Sequence, residues 1–80
     1  MKFTQYFLYT RQREDRTGIR MAWIKSAVAN PLKTEIQQDG RIRKWTFIPE
    51  TGKYLRIILL EDGFTVHNAF FDRGFKEEES

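Results

Sequence analysis

The chain has no cysteine and a single histidine among its 80 residues. Without cysteine there is no disulfide, no thiolate nucleophile and no thiolate metal site. One histidine and no thiol also leave too few nitrogen and sulfur donors for a dedicated zinc site. No metal ligands and no cofactor are therefore expected. Serine occurs only at Ser26 and Ser80, so no Ser-His-Asp order is indicated. No glycine-rich phosphate loop is present either. Long apolar runs are missing too: the longest candidate, Ile57-Ile58-Leu59-Leu60, is strand-length. A membrane span needs about twenty apolar residues, so no membrane partner is expected. Met1-Lys2-Phe3 does not begin a signal-peptide pattern. With no cysteine, the expected location is the cytoplasm.

Charge of one sign is unevenly supplied. Formal net charge is +3, yet Glu77, Glu78 and Glu79 hold three of the eleven acids. Residues 1–76 carry fourteen Lys or Arg against eight acids, a net of +6. A basic body attracts anions, nucleic acid above all; a small soluble domain with slight excess charge has the same balance. One domain over residues 1–76 with an acidic tail at 77–80 is expected. At this length only about two-thirds of the unfolded surface is buried, so a partner would add stability.

What the sequence does have is turn punctuation. Asp39-Gly40, Pro49-Glu50-Thr51-Gly52 and Asp62-Gly63 separate short runs rich in β-formers. That pattern predicts four antiparallel strands near 33–38, 41–48, 53–60 and 64–71. Upstream, Ile24, Ala27 and Val28 make an apolar stripe at helical spacing, extended by Ile19 and Trp23. A helix over about 18–29 follows, with Thr17 as its N-cap and Asn30-Pro31 as its stop. Residues 3–10, FTQYFLYT, fit helix and strand spacing equally, and residues 11–16 read as a charged connector. The fold class is α+β: one or two N-terminal helices on a four-stranded antiparallel meander.

Register decides which side chains share a face. The Asp62-Gly63 turn predicts Leu60 opposite Thr65, Leu59 opposite Val66, Ile57 opposite Asn68 and Leu55 opposite Phe70. The middle hairpin admits two registers. A four-residue loop puts Trp45 and Phe47 on the face of Arg56. A three-residue loop, Glu50-Thr51-Gly52, gathers Trp45, Phe47, Leu55, Ile57, Val66 and Phe70 under the helix, and is the preferred expectation. The other face then carries Lys44, Tyr54, Arg56 and His67, interleaved with Ile42, Ile48, Ile58, Leu60 and Phe71.

Those polar groups match one chemistry. RNA cleavage by 2′-hydroxyl attack needs a base, an acid and cationic stabilisation of the phosphorane. His67 can move a proton near neutral pH, Tyr54 can donate or stack, and Arg56 and Lys44 can hold phosphate. Arg41, Arg43 and Arg73 are further cations for a substrate backbone. Each has a plainer role as well: Arg56 in an ion pair, Lys44 against Glu35, Tyr54 packed on Phe71, and His67 as a structural strand histidine. The apolar part of that face would equally serve a homodimer or another partner chain.

Asn30-Pro31, Asp39-Gly40-Arg41, Lys53-Tyr54-Leu55-Arg56, Glu61-Asp62-Gly63 and the run from Val66 to Arg73 together resemble a widespread group of small bacterial proteins of uncharacterised function. That group in turn resembles, distantly, the RelE and BrnT toxins, whose fold also occurs in barnase-like and colicin-like ribonucleases. The resemblance implies helices on one sheet face, metal-independent endoribonuclease or RNA-binding activity on the other, and a small antitoxin-like partner. Related domains often place a histidine in the first helix. Here that region offers Tyr6, Tyr9, Arg11 and Arg13.

Overall fold

The computed structural model describes residues 1–13 and 17–76. The acidic tail and the second half of the charged connector lie outside the described residues. The ambiguity over residues 3–10 resolves into both forms. Lys2–Phe3 is a short strand, β1, and Gln5–Thr10 is a helix, α1. Thr4 makes the switch. Its backbone N–H donates to Val66 O (3.0 Å), while its hydroxyl accepts from Phe7 N (3.0 Å) and caps the helix. α1 buries Phe7 and Thr10, and Phe3 stacks on Phe7 at 5.2 Å.

The second helix, α2, spans Met21–Ala29 and buries Ile24 and Ala27. It starts later than expected, with Arg20 at the N-cap and no side-chain cap bond; Thr17 is not its cap. Ile19 is still buried, but from the connector. Asn30 leaves helical geometry before Pro31 (φ −135°, ψ 63°).

Four strands follow: β2 Lys33–Ile36, β3 Ile42–Ile48, β4 Lys53–Leu59 and β5 Thr65–Phe71. Sheet order is β1-β5-β4-β3-β2. The expected four-stranded antiparallel sheet is therefore five-stranded and mixed, because β1 pairs parallel to β5. The α+β class holds. Two residues are too few to show periodicity, which is why β1 left no signal.

Two registers differ from expectation. In the middle hairpin Trp45 pairs with Arg56 and Phe47 with Tyr54. The loop is thus the four-residue one, residues 49–52. Its closing geometry is specific: Ile48 O accepts from Thr51 N (3.1 Å) and Gly52 N (2.9 Å), with Gly52 at φ +68°. The result sends Ile48 and Thr46 under the helices and Trp45 to the opposite face.

In the last hairpin Leu60 N donates to Thr65 O (2.9 Å) and Leu59 pairs with Val66, as expected. Beyond that point Ile58 faces Asn68, so His67 is one extra residue on β5, a β-bulge. Every later partner slips by one: Ile57 meets Ala69 and Leu55 meets Phe71. The slip has a clear reason. Without it Asn68 would lie under the helices; with it Ala69 does, 3 % exposed. Phe70 moves to the other face, and Phe71 packs on the core.

The core is one cluster on the helix side. Leu55, Ile57 and Leu59 alternate along β4, all fully buried, against Ile24, Ala27, Phe7, Ile48, Val66 and Ala69. Each such aliphatic side chain contributes about 1.5–3 kcal/mol on leaving water. Trp23 ties α2 to the 49–52 loop by donating to Glu50 Oε2 (3.1 Å).

Candidate nucleic-acid interface

Of the four proposed catalytic residues, the structure brings Arg56 and Tyr54 together. They sit on the face away from the helices, with Trp45, Phe47 and Phe70. The chain after β5 folds back over them. Phe75 stacks on Trp45 (5.0 Å, 18°) and meets Tyr54 edge-on (5.0 Å). Trp45 is 4 % exposed there, without any helix above it. Asp72 binds the group together: Trp45 Nε1 donates to its Oδ2 (3.0 Å) and Arg56 Nη1 stands 3.5 Å from the same oxygen. The Arg56 guanidinium lies 4.5 Å from the Phe70 ring centroid. Its Nε is buried with no hydrogen-bond partner, so the ring face takes a partner's place.

Burial pushes the Asp72 carboxyl up. The Trp45 indole, the Gly74 N–H, Arg56 and the Phe75 N–H outweigh that and hold it below its usual range. This cluster is a second small core. Its cation is already engaged, by Asp72 and Phe70. A depression of about 390 Å³ at its margin is lined by Tyr54, Phe71, Asp72, Arg73 and Phe75 among others.

Lys44 goes the other way. It pairs with Ile57 on the helix side of the sheet, and its Nζ donates to Val28 O (3.0 Å). It satisfies a carbonyl in the last turn of α2 and sets a positive charge at the helix C-terminus. It does not join Arg56, and its bond is to α2 rather than to Glu35.

His67 belongs to α1. As the bulge residue it places Nδ1 3.0 Å from Thr4 Oγ1, and its ring stacks on Tyr6 (4.9 Å, 24°). Burial lowers its pKa, with Arg41 adding to the fall. Both effects favour the neutral ring. Arg56 is held at Asp72, just past the end of β5. Its backbone pairs with Phe70, three residues along β5 from His67. At about 3.3 Å per strand residue that is roughly 10 Å, and the Arg56 guanidinium turns further away, toward Asp72. The expected single patch of Lys44, Arg56 and His67 is not formed; the bulge and the four-residue loop divide it.

The three substrate-binding candidates also separate. Arg41 and Arg43 lie at the β2–β3 end, beside Asp39 (3.8 Å) and Glu35 (3.8 Å) respectively. Arg73 is exposed in the turn after β5, at the opposite end of the sheet.

A different surface lies around β1 and α1. Residues 1–13 contain Lys2, Arg11 and Arg13 and no acid. On α1, Tyr6 is 49 % and Tyr9 74 % exposed, one turn apart. Lys2 stands over the half-exposed Phe64 ring (5.8 Å). Lys2 and Phe64 thus share the β1 edge with the Tyr6–His67 stack, while Arg11 turns its guanidinium to Met21 Sδ (4.0 Å). The signal was present: two tyrosines spaced i and i+3 beside two arginines. It was unreadable while helix and strand stayed undecided.

Comparison with family models, curated proteins and solved structures gives no match. Among the described residues, no helix is long and apolar enough to cross a membrane, and no cluster of three metal-ligating side chains occurs.

Proposed function

We propose that this protein binds single-stranded RNA along the edge formed by β1, α1 and the bulge of β5. The observation that carries the reading is the Tyr6–His67 stack beside the largely exposed Tyr9, on a segment whose charges are all positive. Exposed aromatic rings give bases a stacking surface, and flanking Lys and Arg neutralise the phosphates. The toxin-like setting, with a small antitoxin-like partner, is part of the proposal and rests on the resemblance.

Binding rather than cutting is proposed, for a geometric reason. In-line attack needs base, acid and phosphate-holding cation on one phosphate. His67 is turned to Thr4 and Tyr6 at α1, three strand positions, roughly 10 Å, from the β5 partner of Arg56. Arg56 already pairs with Asp72.

Amide chemical-shift mapping with a short oligouridine tests the assignment. Shifts gathered on residues 2–13 and 65–68 support it. Shifts gathered on Tyr54, Arg56, Asp72 and Phe75 would move the site to the other face and overturn it.

A further inference from the structure

The sheet ends in β2, and among the described residues no strand pairs with its outer edge. The ladder shows which backbone groups that edge offers. Gln37 N donates to Arg41 O (2.7 Å), in register with the β2–β3 pairs. Antiparallel amides alternate in direction. Counting back by twos, Glu35 and Lys33 point their amides at β3, while Thr34 and Ile36 point theirs outward; the alternation stops at Leu32, whose N–H donates inward to Trp45 O (2.7 Å). Ile36 is 75 % exposed and Leu32 52 %, an apolar pair flanking a polar centre.

We infer that β2 pairs antiparallel with β2 of a second copy of this chain, about a two-fold axis at Thr34. That centre is the one the residues fit. Thr34 exchanges N–H and C=O with its own counterpart, as outward amides require. Lys33 then lies opposite the second copy's Glu35, and Glu35 opposite its Lys33, in the close non-hydrogen-bonded pairing where side chains touch best. Leu32 lies opposite Ile36 at each end, on the other face; the Leu32 N–H is held by Trp45 O, so this outer pair rests on apolar contact. The neighbouring centres fail. Symmetry about Lys33 or Glu35 would oppose like charges and put amides already used by β3 at the centre. Symmetry about Ile36 would run into the 37–40 turn, closed by Gly40 N to Gln37 O (3.0 Å).

The pairing is isologous and closes, so it stops at two copies. It extends one five-stranded sheet into a continuous sheet of two such halves. Because β1 and β2 are opposite edges, the α1 surfaces of both copies remain at the outer ends. The dimer does not depend on what those surfaces bind. It also differs from dimerisation through the sheet face, which residues 72–75 cover in part.

Sedimentation velocity on the full chain, from micromolar to about 1 mM, reads the association directly. Wild type is expected to shift from monomer toward dimer as concentration rises. Thr34→Pro should weaken dimerisation at least about tenfold, since it removes the central outward N–H. Its melting curve at low concentration should match wild type, because that N–H serves no strand of its own sheet. Lys33→Glu and Glu35→Lys, each alone, should weaken association by a similar factor. An equimolar mixture of the two should restore it as a heterodimer, since every cross-strand pair is again opposite in charge. Wild type that stays monomeric to about 1 mM, Thr34→Pro that dimerises like wild type, or a mixture that stays monomeric would each overturn the inference.

Discussion

Trp45 and Asp72 meet on the face of the sheet that no helix covers, the indole Nε1 donating to the carboxylate at 3.0 Å. This one bond explains why a large aromatic is buried on the wrong side of a two-layer fold. The carboxylate also holds Arg56, and the chain leaving it lays Phe75 over the indole. Trp45→Ala should therefore destabilise the protein by about 3–5 kcal/mol, as loss of a buried large aromatic implies. Phe75→Ala should cost less, about 1–3 kcal/mol, because the ring is only part-buried. Denaturant unfolding gives both values. In a Trp23→Phe background, Phe75→Ala should also red-shift the remaining tryptophan emission. An unchanged spectrum would mean that Phe75 does not cover Trp45.

Asp72 makes a pH prediction with a definite sign. Its carboxyl is held below the usual 3.8 in the folded chain. The ionised form is thus favoured by folding. Its contribution is complete above about pH 4 and is lost as pH falls through the lowered folded value. Asp62 adds to the same acid limb through bonds from Thr65 and Phe64. Asp72→Asn should be less stable than wild type at pH 7, and the gap should narrow as both are acidified toward pH 2. A gap that stays constant with pH would contradict the assignment.

His67 gives a separate limb. Burial lowers its pKa from 6.5, and Arg41 reinforces the shift. The unfolded chain therefore binds the proton more readily than the folded one. Stability should begin to fall as pH drops below about 7 and continue down through the lowered folded value. His67→Phe should erase this dependence. NMR titration of the ring should give a midpoint under 6.5; a midpoint above it would show that the Thr4–Tyr6 environment favours the charged ring.

Lys44→Met tests the plainest reassignment. Loss of the bond to Val28 O and of the charge at the α2 terminus should cost about 0.5–1.5 kcal/mol. RNA affinity should be unchanged, because Lys44 is on the helix side and away from α1. A large loss of binding with little loss of stability would return Lys44 to the site.

Much of the architecture was legible from local chemistry. The α2 stripe of Ile24 and Ala27, its stop at Asn30-Pro31 and the glycines at 40, 52 and 63 marked the elements, because each acts within a few residues. The sidedness of the sheet was not legible. The choice between three and four residues at the middle turn depends on cover for Trp45, and that cover comes from Asp72 and Phe75, far along the chain. The bulge at His67 carries no glycine to announce it; it is set by the need to keep Asn68 off the apolar face. Those two events separated Lys44, Arg56 and His67, which the alternation pattern alone had placed together. Tyr6 and Tyr9 were visible as residues but not as a surface. Their exposure depends on Thr4 turning a strand into a helix.

Fluorescence anisotropy with a labelled oligouridine, at low salt and then at increasing salt, measures whether the α1 surface binds RNA. Wild type is expected to bind, with affinity falling steadily with salt as phosphate contacts release counterions. Tyr6→Ala and Tyr9→Ala should each weaken binding by about 1–3 kcal/mol, the worth of one base stack. Phe75→Ala, on the opposite face, should leave it unchanged. Binding that ignores both tyrosine substitutions, or no binding by the folded wild type at low salt, would rule out the α1 surface as an RNA site.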